Sequence, residues 1–191
     1  MSIHIERNTK ETQIALDFSL RGAGKFSADT GLPFFNHMLA AFALHGAMDI
    51  AGSVKGDLEV DAHHTMEDFG IVLGTAFRDA CAAAGPLARF GMSAVPMDEA
   101  LSTACLDISN RPFLVWRCDF PDACVGGIES QLFEEFFRAF AFAAGITLHL
   151  RCDYGRNTHH MVEALFKACG RALREAKQPA EIMLSTKGKL L

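Results

Sequence analysis

No pair of cysteines in this chain is spaced C-x-x-C. The six that occur (Cys81, Cys105, Cys118, Cys124, Cys152 and Cys169) spell neither a disulfide framework nor a zinc ribbon. Runs such as Asp79-Ala80-Cys81-Ala82-Ala83 read as free buried thiols, which suits a reducing compartment. Long apolar runs are missing too. The longest, around residues 136–150, is broken by Arg138 and His149 and falls short of a bilayer span. Residues 1–7 hold no apolar core of the kind a signal peptide needs. Positive charge is not in excess: the net charge is −5, which excludes a broad basic nucleic-acid surface. Tyr and Trp occur once each. Together these absences predict a cytoplasmic protein that engages neither membrane nor nucleic acid.

What remains is a 191-residue chain, half of it apolar, with sixteen Phe and eight His. That length makes one ordinary domain or two small ones. Residues 11–20 alternate, with Ile14, Leu16, Phe18 and Leu20 on one face, and predict a half-buried strand. Gly22 and Gly24 mark a turn. After Thr30-Gly31, the positions Phe34, Met38, Ala41, Phe42 and His45 follow helical spacing. A short strand near 48–54, a turn at Lys55-Gly56-Asp57 and a long helix over 63–84 come next, stopped by Gly85-Pro86. The second half repeats the order. Strands are predicted at 101–108 and 112–120, broken by Asn110-Arg111-Pro112. A Phe-rich helix then runs to Gly145, followed by a strand over 146–152 and a helix over 158–176, ended by Gln178-Pro179.

The halves align by residue type. Phe35, Ala41 and Phe42 stand 98 positions before Phe133, Ala139 and Phe140, and His63, His64 and Glu67 stand 96 before His159, His160 and Glu163. This indicates a duplicated unit. The expected fold is α+β, with two half-repeats (1–90 and 91–191), each a β-sheet with two helices, packed as one body.

The duplicated string is the chemically informative one. His63-His64-Thr65-Met66-Glu67 and His159-His160-Met161-Val162-Glu163 each read H-H-x-x-E at a helix start. The Glu is a helical neighbour of either His, whereas adjacent histidines point about 100° apart and cannot readily chelate one ion. Each pair therefore serves two metals, and each ion takes one His from each half with a nearby Glu. Imidazole with carboxylate suits Mn, Fe or Zn, and the lack of thiolate argues against a structural zinc. H-E-x-x-H, the zinc-protease motif, is a different arrangement. His4, on an alternating segment, reads as surface decoration.

Several longer strings carry a resemblance. Residues 30–39 (TGLPFFNHML), 61–68 (DAHHTMED), 96–101 (PMDEAL), 157–164 (NTHHMVEA) and 185–188 (STKG) together resemble the imidazoleglycerol-phosphate dehydratase family over nearly the whole chain, in order. The resemblance implies a monofunctional hydro-lyase of histidine biosynthesis that converts imidazole glycerol phosphate to imidazole acetol phosphate. It implies two Mn ions per site, other divalent transition metals being alternatives, held between subunits of a homo-oligomer built from trimers into a twenty-four-subunit particle. One ion would take His37, His64, Glu67 and His159. The other would take His63, His160, Glu163 and the match to His37 in the second half, Glu135, where relatives often carry His.

The same resemblance assigns proton handling to Glu11 and makes the metal ligands part of the catalytic centre. For binding the phosphorylated imidazole it adds Arg89, Arg111, Lys167 and the tail residues Ser185, Thr186 and Lys187 to Glu11, His37 and His45. Arg supplies a fork for phosphate oxygens and Lys a point charge. His149, alternating with apolar neighbours, is expected to be structural or to support a ligand. Three departures stand out: Asn36 where Asp is usual, Asn110 where Gly is usual, and Leu184 where Pro is usual. Two other classes are distinguishable. A protein whose metals only staple subunits needs no phosphate cradle. A dimetal hydrolase needs ions about 3.5–4 Å apart bridged by carboxylate.

Overall fold

A computed structural model describes residues 2–182. The order of elements repeats. The first half runs β1 (Ile3–Asn8), β2 (Thr12–Ser19), β3 (Phe26–Ser27), α1 (Pro33–Gly46), β4 (Asp49–Gly56) and α2 (His63–Ala83). The second half runs β5 (Phe90–Met97), β6 (Ala100–Ile108), β7 (Phe113–Arg117), a small hairpin of β8 (Cys124–Val125) and β9 (Ile128–Glu129), then α3 (Leu132–Ala144), β10 (Ile146–Tyr154) and α4 (Thr158–Ala176).

The sheets show the same wiring. Strand order is β1-β2-β4-β3 in one and β5-β6-β10-β7 in the other. Each opens with an antiparallel hairpin. The third strand in space is antiparallel to the second, and the last joins it in parallel, as Phe26 opposite Ile50 and Thr147 opposite Phe113. α2 packs on β1 and β2, and α4 packs on β5 and β6. The halves join helix to helix, α2 against α3 and α1 against α4. The α+β class and the two similar halves are as the periodicity predicted.

The surplus of Phe fills this junction. Phe35, Phe69, Phe133, Phe136, Phe140 and Phe166 are all buried, and Phe136 stacks on Phe166 at 5.5 Å. A ring without a polar atom needs no hydrogen-bond partner there, and each such burial contributes about 1.5–3 kcal/mol. The helices meet closely because α2 lacks side chains at the crossing. A Cβ on Gly70 would lie 2.7 Å from the Phe136 carbonyl oxygen, and one on Gly74 would lie 2.5 Å from that of Phe140.

The structure departs from the sequence reading at sheet edges. β5 is an edge strand that the periodicity did not single out; β1, also at an edge, is the alternating segment that carries His4. β1 is only half-buried, and β5 is punctuated by Gly91 and Pro96, tolerable where one side of the ladder is free. β3, β8 and β9 have two residues each, too short for any period. The strand expected over 112–120 ends at Arg117.

Candidate metal centre

Both H-H-x-x-E strings begin helices, for local reasons. Asp61 Oδ1 accepts the His63 amide at 2.7 Å at the start of α2, and Asn157 Oδ1 accepts the His160 amide at the start of α4. Side-chain oxygens thus satisfy amides that a helix N-terminus leaves open. One turn further on, each Glu returns to the face of the first His of its pair: Glu67 lies 3.5 Å from His63 and Glu163 lies 3.0 Å from His159.

Because α1 packs on α4, its first turn brings His37 to the same place. His37, His159 and Glu163 offer ligand atoms that all lie within 4.8 Å of one another. Glu163 Oε2 stands 3.4 Å from His37 Nε2 and 3.0 Å from His159 Nε2, while Oε1 accepts the Lys167 ammonium at 2.7 Å. The carboxylate is buried and both rings are half exposed, so the group opens outward. Burial alone would raise the Glu163 pKa, but Lys167 and then His159 and His37 outweigh it and hold the carboxyl below its ordinary value. The edge of Phe34 meets the His159 ring at 5.1 Å and fixes its tilt.

The second histidine of each pair points elsewhere. His64 Nδ1 is 3.0 Å from Asp57 and its Nε2 is 3.8 Å from Glu11. His160 Nδ1 is 2.8 Å from Glu99 and its Nε2 is 3.7 Å from Asp98. A carboxylate accepting from Nδ1–H sets the tautomer and leaves Nε2 with a free lone pair, the usual arrangement behind a metal-binding imidazole. These contacts raise both histidine pKa values, through Asp57 and Glu99 respectively. Glu99, bound by His160 and by the Asn157 and Arg156 amides, is held down at about 2. Asp57 and Glu99 had no role in the sequence reading. Asp57 read as a turn residue, and Glu99 lay inside a family string whose contacts only the fold reveals.

Within this chain each carboxylate groups with the first histidine of its own pair. Glu163 sits with His37 and His159, not with His160, and Glu67 sits with His63. The reason is helical: the i,i+4 pair shares a face, and each helix packs on a different partner. Glu135, at the start of α3 beside α2, turns to Arg138 at 3.5 Å and is not part of the three-ligand group.

The remaining candidates are spread out. Arg89 makes a two-pronged ion pair with Asp107 at 2.6 and 3.0 Å, and Arg111 reaches the same carboxylate at 3.2 Å. The Arg89 amide bonds the Ala176 carbonyl, so this cluster lies at the far end of α4 from His159, about 25 Å away at helical rise. His45 is half-buried against α4, and burial, then Lys167 and Arg171, keeps its pKa low. Ser185, Thr186, Lys187 and Leu184 lie outside the described residues. His149 is exposed on the outer face of the second sheet and is not part of the His37, His159 and Glu163 group. His4 is exposed between Asp17 and Glu6.

Two departures from the family pattern have local explanations. Asn36 accepts from Thr30 and donates to Asp29 at 2.8 Å, tying down the 29–31 loop. An Asp could not make the last bond. Asn110 has φ of 53°, the left-handed region that Gly and then Asn tolerate best.

Comparison with known proteins decides the family. A family model described as imidazoleglycerol-phosphate dehydratase matches residues 30–173. The chain belongs to the imidazoleglycerol-phosphate dehydratase family. Imidazoleglycerol-phosphate dehydratase from Acetivibrio thermocellus is 51% identical over 189 residues, covering 97% of each chain. The namesake from Ruminiclostridium cellulolyticum matches at the same identity and coverage. The crystal structure of IGPD from Pyrococcus furiosus in complex with (S)-C348 superposes with a TM-score of 0.85 at 38% identity, covering 96% of this chain and 99% of that one. The Staphylococcus aureus enzyme does so at 34% identity with the same score, covering 94% and 100%. As a member of this dehydratase family the chain is a hydro-lyase.

Proposed function

We propose that this chain removes water from imidazole glycerol phosphate to give imidazole acetol phosphate, a step of histidine biosynthesis, at a two-manganese site completed by other copies of the chain. The observation that carries the reading is the convergence of His37, His159 and Glu163, with His64 and His160 anchored through Nδ1 and their Nε2 atoms turned outward. This donor set fits a divalent transition ion. His37, His159 and Glu163 would hold one ion, with an outward-facing histidine of another copy adding to the shell. The 98- and 96-residue offsets turn that group into Glu135, His63 and Glu67, the candidates for the second ion. Bound there, the ions would supply Lewis acidity toward the substrate's imidazole, easing loss of the hydroxyl from the carbon attached to the ring.

The chain's own groups supply the rest. Hydroxide leaves the carbon attached to the ring together with a proton, so one water is lost. Glu11 Oε1, beside His64, accepts the proton from the next carbon, which keeps its own hydroxyl. The enol that results becomes the ketone. Arg89 and Arg111 make the phosphate cradle, with Lys167 and the 185–187 tail. Some 25 Å of helix separates the arginines from His159 in one chain, far beyond the reach of a triose phosphate bearing an imidazole. Cradle and ligands would therefore meet across copies, which supports a homo-oligomer; the trimers and twenty-four-subunit particle are what the family resemblance implies. Among the described residues no helix is long and apolar enough to cross a membrane, in keeping with a cytoplasmic pathway enzyme.

The test is formation of imidazole acetol phosphate from imidazole glycerol phosphate. Protein stripped of metal should be inactive and should recover on addition of Mn²⁺. Absence of turnover at any metal loading would end the reading.

A further inference from the structure

Glu11 sits in the turn joining β1 to β2, with its side chain half exposed. A carboxylate at a hairpin tip is free to wander unless the turn is held. Two layers hold this one. The Thr9 hydroxyl accepts the Glu11 amide at 3.1 Å and the Thr12 amide at 2.9 Å. Below it, the carboxylate of Asp68 accepts the Thr12 hydroxyl at 2.5 Å on one oxygen and Arg7 Nε at 2.9 Å on the other. Asp68 and Thr12 are buried.

Asp68 follows Glu67 on α2. Neighbours on a helix point about 100° apart, so one turn of α2 sends Glu67 out beside His63 and sends Asp68 in, under the hairpin. The same turn thereby sets where the metal ligands stand and where Glu11 stands relative to them. The second half has no such clamp. The 96-residue offset puts Ala164 in the place of Asp68, and the second hairpin's Glu99 is held by His160 and two backbone amides instead.

We propose that Asp68 is a positioning residue which, through Thr12 and Arg7, holds the hairpin that presents Glu11 to the Nε2 side of His64. The proposal rests on the reading of Glu11 as the proton-transferring carboxylate. A plain staple of hairpin to helix would lower stability and leave turnover per folded molecule untouched. The clamp instead acts on the geometry of proton transfer, where a misplacement of an ångström costs up to about a hundredfold in rate.

The experiment uses full-length, manganese-loaded protein and the variants Thr12→Val and Asp68→Asn, each alone and combined with Glu11→Gln. Steady-state kinetics, bound metal and amide hydrogen exchange of residues 10–12 are measured. The expected result is a kcat lowered by about tenfold or more, with KM and metal content unchanged and faster exchange at the Glu11 amide. On the Glu11→Gln background the same substitutions should cost little further turnover, because groups that act as one unit are not additive. A full additional loss on that background, or an unchanged kcat with faster exchange, overturns the clamp. Wild-type turnover by Glu11→Gln alone overturns the reading of Glu11 and the clamp with it. Thr12→Val, which keeps the shape of the side chain, decides the matter if Asp68→Asn does not fold.

Discussion

Glu163 has one carboxylate oxygen committed to Lys167 and the other to two imidazoles. Replacing it with Gln keeps the shape and removes the charge that an ion and Lys167 both need. Glu163→Gln should lose metal from this group, measurable as ions bound per chain, and activity with it. The same measurement on Glu135→Ala tests the other half: loss of metal is expected, and Glu135→His should restore it. Lys177 is a second residue-scale case. It is buried, donates to the Leu20 carbonyl and to that of Ala47 at 2.8 Å, and is pushed by burial, then by Arg21, down to about 8 from 10.5. The unfolded chain therefore holds this proton between pH 8 and 10.5 where the folded chain releases it, so this group's contribution to stability rises with pH across that window. The thermal midpoint of the wild type relative to Lys177→Met should climb over the same range. A constant difference would contradict the assignment.

Elements explain what could and could not be read from the chain. The four helices and the strands under them were legible because their apolar periods are strong and repeated. The H-H-x-x-E strings were legible because the second copy turned a weak motif into a pattern. The edge strands β3 and β5 were not, since two-residue or Gly- and Pro-bearing segments keep no clean period. Nor was the pairing of α1 with α4, which decides that Glu163 joins His37. That contact depends on how helices cross, and no local spacing encodes it. The α2–α3 crossing is testable. A methyl on Gly74 would meet the Phe140 carbonyl oxygen, which belongs to a helix and cannot yield cheaply. Gly74→Ala should destabilise the fold by about 1–3 kcal/mol, read from denaturant unfolding, despite the usual helix preference for Ala.

At the scale of the whole molecule, the duplicated fold puts three ligands on one end of α4 and two arginines on the other. On the proposed function, a single chain would hold the parts of a site without assembling one, and further copies would unite them. Chelation should then abolish activity and also break up the largest assembly, seen by light scattering. The most direct test of the shared site is complementation. Glu163→Gln and Arg89→Ala chains are each expected to be inactive alone. Co-expressed with different tags and purified through both, they form mixed particles in which some sites draw Glu163 from one parent and Arg89 from the other. The account predicts that dehydration of imidazole glycerol phosphate reappears in those particles. Doubly purified particles as inactive as their parents would contradict it.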